Sequence, residues 1–216
     1  DAVIVPTEHN RQTCLNSNIN VPLYVVPCPV DTKKFSKSYE RLPNLDNTFK
    51  FYTIGEFTKR KNVPAILRAF HTEFAPYENV DLIIKTTPVG MNNPQAEIGK
   101  VINDVKAGLK IHPKVEEYNQ EKVICEFWDE EVMGRLHTTG DCYVSASYGE
   151  GMNRPCQDAM GHGNPVIVPN HTAFVDYVRH FDNGLTYSSY EEDCFAELGS
   201  FADLYLPQQG LPHYLE

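Results

Sequence analysis

The stretch YGEGMNRPCQDAMGHGNPVIVP, residues 148–169, sets Glu150 between Gly149 and Gly151 and places Asp158 eight positions later. A short apolar run follows. In an open parallel sheet, ligands bind beyond the carboxyl ends of the strands, where a loop enters a helix. DCYVSASYGEGMNRPCQDAM reads in that order: strand, glycine-containing turn, helix. Glycine permits backbone angles and close approaches that a Cβ blocks, and asparagine such as Asn153 tolerates left-handed geometry. Pro155 fits a first helical turn. The free N–H groups of residues 151–154, including Gly151, Met152, Asn153 and Arg154, could then face an anion. A carboxylate beside an anion needs another task. Paired sugar hydroxyls provide one, because carboxylate oxygens accept their hydrogen bonds. Glu150 and Asp158 would suit two sugar rings flanking a phosphate. By spacing alone, a solvated turn glutamate and a surface helix aspartate remain an open alternative.

A bound anion also needs cations, and the chain as a whole is acidic, with a net charge of −10. That balance argues against nucleic acid as a partner. GEFTKRKNVPAI contains the only run of three basic residues, Lys59, Arg60 and Lys61, at the carboxyl end of an expected strand. A charge-assisted hydrogen bond to phosphate contributes about 1.5–3 kcal/mol. Two of these with a helix terminus would hold a diphosphate, although a solvated loop is the ordinary fate of such a run.

The elements that must position these groups follow from hydrophobic period. DAVIVP, PLYVVPCPV, FKFYTIGEF, VDLIIKTT, KVICEFW, GDCYVSAS and PVIVP read as strands. TEHNRQTCLNSN reads as a short helix or turn. NVPAILRAFHTEF, NPQAEIGKVINDVKAGL, EEVMGRLHTT, TAFVDYVRH and EDCFAELGSFADLY read as helices. Asn62 and Asp129 are candidate N-caps. Asp31 to Asn47 reads as a linker or surface loop. Strand–helix alternation implies an α/β fold: a Rossmann-like parallel sheet with helices on both faces. No run approaches the roughly 18 apolar residues of a membrane span. Six cysteines without a C-x-x-C pair suggest a reducing, cytoplasmic setting, with Cys125 and Cys142 in the core. Eight histidines show no metal-ligand spacing.

Four segments resemble a known family. EGMNRPCQDAMGHGNPVIVP is similar to the signature E-G-F-G-x-x-x-x-E-A-M-A-x-G-x-P-V-I of retaining, two-Rossmann-domain (GT-B) glycosyltransferases of the family 4 type. YTIGEFTKRKNVPAILRAF resembles the family's strand–G-R-x-x-x-x-K-G–helix element. VPLYVVPCPVDTKKF resembles its interdomain strand, and DNGLTY a later N-G-L element. The resemblance implies the C-terminal, donor-binding half of a GT-B fold. Residues 1–27 would be a remnant of the N-terminal domain and interdomain strand, and residues 28–216 the nucleotide-sugar domain. An N-terminal Rossmann-like domain, carrying most of the acceptor site, is expected in the full protein.

The implied activity is a hexosyltransferase-type transfer from a nucleotide diphosphate sugar to an unidentified acceptor, with retention at the anomeric carbon. Glu150 would contact the transferred sugar and Asp158 the ribose. Lys61, helped by Arg60, would neutralise the diphosphate. Gly55 and Glu56 match the G-R pair, and the loop after KVICEF, at Phe127 and Trp128, would lie near the base. No cofactor or metal is expected, since no D-x-D occurs. Three positions depart from the pattern: Glu56 stands at the usual arginine, Asn153 replaces the second loop glycine, and Asp158 is one methylene shorter than glutamate. These departures keep open an inactive nucleotide- or sugar-binding module of the same fold. A dinucleotide-binding oxidoreductase half is disfavoured, because no G-x-G-x-x-G follows FKFYTIGEF.

Overall fold

A computed structural model of the chain describes residues 1–191, apart from 44, 46, 47 and 89, and the backbone of 213–215. Its centre is a six-stranded, all-parallel sheet in the order β5-β4-β3-β6-β7-β8. The strands are β3 (Phe49–Glu56), β4 (Val80–Thr87), β5 (Lys122–Ile124), β6 (Cys142–Val144), β7 (Val166–Pro169) and β8 (Leu185–Tyr187). Helices α3 (Val63–Glu73), α4 (Pro94–Leu109), α5 (Glu130–Thr139) and α6 (Arg154–Gly161) connect them. The α/β, Rossmann-like expectation is met.

Alternation along the strands sends side chains to two cores. Leu82 and Ile84 of β4 pack with Val63, Ile66, Leu67 and Phe70 of α3 on one face. Tyr52 and Ile83 pack with Leu136, Cys156 and Ala159 of α5 and α6 on the other. The period-3.6 apolar stripe of α3 is therefore a core stripe. Asp129 caps α5, accepting a hydrogen bond from the Val132 N–H at 2.9 Å. Asn62 occupies the N-cap of α3 but makes no side-chain cap bond. Its backbone is left-handed, with φ 49°, so the position serves the turn.

The amino-terminal strands β1 (Val3–Val5) and β2 (Leu23–Val25) pair in parallel with each other, outside the main sheet. Helix α1 (Glu8–Asn16) joins them, and the His9 N–H donates to Asp176 Oδ2 at 3.0 Å. Three expectations change in detail. The segment read as a loop after Asp31 contains a short helix, α2 (Thr32–Ser36), because the Asp31 side chain caps it. KVICEFW is extended over only three residues. TAFVDYVRH forms a 3-10 helix, Thr172–Asp176. The expected last helix, EDCFAELGSFADLY, lies outside the described residues. A small antiparallel pair, β9 (Ser189–Glu191) with β10 (His213–Leu215), completes the described backbone. Among the described residues, no helix is long and apolar enough to cross a membrane, and five cysteines carry free thiols; of the two expected in the core, Cys142 is buried and Cys125 partly so, and Cys156 is buried as well.

Candidate functional site at the sheet switch point

Strand order reverses between β3 and β6, since β4 and β5 extend to one side and β7 and β8 to the other. Such a reversal opens a crevice at the carboxyl ends of the two strands. The loop after β3 carries Lys59, Arg60 and Lys61 in one 3-10 turn. The loop after β6 carries Glu150. A backbone bond from the Tyr148 N–H to the Arg60 carbonyl, 2.8 Å, ties the two loops together.

The basic run and the glycine-flanked acid meet there. Lys61 Nζ lies 2.6 Å from Glu150 Oε1, and Arg60 Nη1 lies 2.9 Å from the same oxygen. Arg60 also donates to the Gly149 carbonyl at 2.9 Å. The Glu150 side chain is 7% exposed and that of Lys61 13%, so the pair is only weakly screened by water. Two cations against one carboxylate leave a local excess of one positive charge in an acidic protein. Gly55 seats the lysine: a Cβ there would stand 2.9 Å from Lys61 Cε. Glu56, at the position the family gives to arginine, is exposed at the end of β3.

The start of α6 is built for its loop. Asn153 is left-handed at φ 53° and accepts a hydrogen bond from the Cys156 N–H at 3.1 Å. Tyr143, fully buried in β6, donates its hydroxyl to Asn153 Oδ1 at 3.1 Å. The asparagine that stands where the family has glycine thus takes a left-handed backbone and adds a cap. Gly151 and Arg154 are exposed, and Met152 is half-buried.

Other expected residues have surroundings of their own. Asp158 is bonded by Lys34 of α2, Nζ to Oδ1 at 2.7 Å. Beside it His162 stacks on His137, with centroids 4.9 Å apart. Burial pushes the His137 imidazole down to about 4, so it is neutral near pH 7 and accepts or donates within the Tyr52–Asn164 network. Phe127, expected near a base, is 87% exposed. Trp128 is half-buried and packs against the core beside β5.

Sequence reasoning missed two basic residues. Lys34 was hidden in a segment read as a loop. Lys85 was hidden inside an apolar strand, VDLIIKTT, where the only signal was a lysine at an otherwise buried register position. Gly55, Glu56, Lys61, Lys85, Ser145 and Ser147 line a small, partly open cavity at the carboxyl rim.

A parallel sheet with its charged crevice at the switch point defines a Rossmann-like domain of the GT-B kind. Residues 35–199 match the family described as "Glycosyl transferases group 1", and the chain belongs to that family. No curated protein matches the chain. Among solved structures, sucrose-phosphate synthase from Thermosynechococcus elongatus is similar at 17% identity and a TM-score of 0.67, over 87% of this chain and 45% of that one. Anabaena HepE, solved in complex with UDP and glucose, is similar at 18% identity and a TM-score of 0.64, over 87% and 49%. The C-terminal domain of a glycosyl transferase group 1 family protein, LpcC, from Francisella tularensis is similar at 19% identity and a TM-score of 0.54, over 74% and 80%. At these identities the likeness is one of fold. The chain spans about half the length of the first two proteins.

Proposed function

We propose that this chain is the donor-binding half of a retaining glycosyltransferase, and that its donor is a nucleotide diphosphate hexose. One observation carries the reading: Lys61 and Arg60 converge on Glu150 at the switch point of the sheet. In that reading residues 1–27 belong to an N-terminal domain, and the cleft between the two domains admits the acceptor. The UDP and glucose held by HepE support a nucleotide–sugar donor, because that protein shares the fold.

The bond between the anomeric carbon and the diphosphate oxygen breaks as the acceptor hydroxyl oxygen bonds to that carbon on the same face. The hydroxyl proton passes to the departing diphosphate. Negative charge grows on the leaving group, so Lys61, Arg60 and the N–H groups before α6 stabilise the transition state more than the ground state. Entry of the diphosphate draws both cations off Glu150. The freed carboxylate then accepts hydrogen bonds from sugar hydroxyls and orients the ring. Lysine, arginine and backbone donors carry the charge in this scheme, without a metal bridge.

A second reading, a binding module without transfer, is favoured by one observation. Asp158, the acid the family uses for the ribose, is already held by Lys34. Incubation with labelled nucleotide sugars separates the two readings. Turnover to a sugar product with the donor's anomeric configuration, read from its anomeric proton coupling, supports the enzyme. Binding without turnover supports the module. Calorimetry that finds neither UDP nor GDP binding sinks both.

A smaller prediction concerns Gly55. A Gly55→Ala chain should fold normally, because the atom its Cβ meets is the flexible end of Lys61. Its nucleoside diphosphate affinity should drop about three- to tenfold as the lysine is pushed off its seat, roughly the size of one weakened charged hydrogen bond. Unchanged affinity in the titration would show that the seat is unimportant.

A further inference from the structure

Lys85 is buried, with 6% of its surface exposed, and it lines the crevice. An ammonium has three donors. Among the described residues Lys85 Nζ has one hydrogen-bond acceptor, the Thr86 carbonyl at 3.3 Å, and it lies 5.5 Å from the Trp128 ring centroid. Among the described residues, no carboxylate forms an ion pair with it. A buried cation so poorly matched is costly to keep unless a ligand completes it.

Register places this lysine against the other cation. Lys85 pairs with Ile54 of β3, and Gly55 is the next residue along. Adjacent residues of a strand point to opposite faces. Lys61 lies over Gly55, on the α3 face. Lys85 shares the face of Ile54, which packs with the α5–α6 core. The crevice therefore receives one ammonium from each face of the sheet, at its carboxyl rim.

We propose that Lys85 is a second cation of the donor site, donating from β4 to a phosphate oxygen of the bound nucleotide while Lys61 approaches from the other face. The proposal rests on the donor-site reading above. It predicts a proton linkage. Burial holds the Lys85 ammonium below the usual lysine range, opposed by Cys125 and Glu126 at the end of β5. Glu56 and Lys61 from the β3 side and Tyr143 from β6 line the same cavity. An anion placed beside Lys85 favours its charged form, so binding at alkaline pH takes up a proton.

The test is calorimetry of the 216-residue chain and its Lys85→Met variant with UDP, GDP and inorganic pyrophosphate. Each titration is run at alkaline pH in two buffers of different ionisation enthalpy. Lys85→Met should weaken pyrophosphate and the preferred nucleotide about tenfold or more and abolish proton uptake, while the melting temperature stays level or rises. A variant that binds as the wild type does, with the same proton uptake, overturns the role of Lys85 and leaves the donor site standing. A variant that melts lower with unchanged affinity gives the lysine a packing role and overturns the proposal too. A wild-type chain that binds none of the three ligands overturns the donor site and Lys85 together.

Discussion

Glu150→Gln is expected to bind inorganic pyrophosphate more tightly than the wild type, by about tenfold, while losing affinity for an intact nucleotide sugar. The opposite signs follow from one ion triad. Arg60 and Lys61 share Glu150 Oε1 at 2.9 and 2.6 Å. Without the carboxylate, two cations face the crevice with no competing acid, and a bare anion gains about 1.4 kcal/mol for a tenfold change. A nucleotide sugar makes the same gain at its diphosphate, but its sugar hydroxyls exchange a charged carboxylate acceptor for a weaker neutral amide that offers one acceptor oxygen instead of two. Lys61→Ala has a different signature. It removes a charge-assisted bond of about 1.5–3 kcal/mol, so pyrophosphate, nucleoside diphosphate and donor should all weaken tenfold to a hundredfold. Turnover should fall further, by about a hundredfold to a thousandfold, because the lost charge matters most as the leaving group departs. Both variants should fold, since Arg60 still pairs with Glu150 in one and bonds the Gly149 carbonyl in the other. Titration of the variants with pyrophosphate decides the matter. If both bind it as the wild type does, the triad is not an anion site.

The second large effect lies at the far end of the sheet and concerns stability alone. Glu121 sits just before β5 with its side chain 3% exposed, bonded by His71 of α3 and by Lys106 of α4, the latter at 3.0 Å. Lys106 is 2% exposed and also donates to the Asn119 carbonyl at 2.8 Å. Glu121→Ala strands that buried ammonium beside a small void. Breaking a buried pair on one side costs about 3–5 kcal/mol. For a chain of this size the loss corresponds to about 6–20 °C in Tm. Glu121→Leu combined with Lys106→Met and His71→Leu should recover most of the loss, because three apolar groups need no partner.

The pH dependence of this cluster has a definite sign. Burial alone would raise the Glu121 carboxyl, but the bonds from His71 and Lys106 outweigh it and hold it below its ordinary 4.5. A depressed folded value means that the contribution is complete above about 4.5 and is lost as the pH falls through the lower folded value. Wild-type and Glu121→Ala Tm values should therefore converge as the solution is acidified below that point. A difference that persists unchanged into strong acid would show that the carboxylate charge is not what stabilises the cluster.

The chain's local chemistry was enough to announce much of the site. Strand–helix alternation, the Asp129 cap and the left-handed Asn153 depend on residues within a turn or two of each other, where propensity and hydrogen bonding act directly. Glu150 and Lys61 could be picked out for the same reason, since each lies in a loop between a strand and the next helix, and a parallel sheet brings such loops to one rim. Their salt bridge, across 89 positions of sequence, is a product of the sheet order, which places β3 beside β6. Lys34 and Asp158 are 124 positions apart, and no local pattern marks them as partners. Phe127 reads as part of the end of the strand KVICEFW, yet β5 stops at Ile124 and Phe127 is left in solvent. Lys85 shows the limit most clearly. Residue type put it in a strand, but only the register of β4 on β3, the wall of Trp128 and the exclusion of water decided that its charge would be buried and aimed at a crevice. Backbone preference is a short-range property written in neighbouring residues; burial and charge matching are long-range, and they come into being when the sheet assembles.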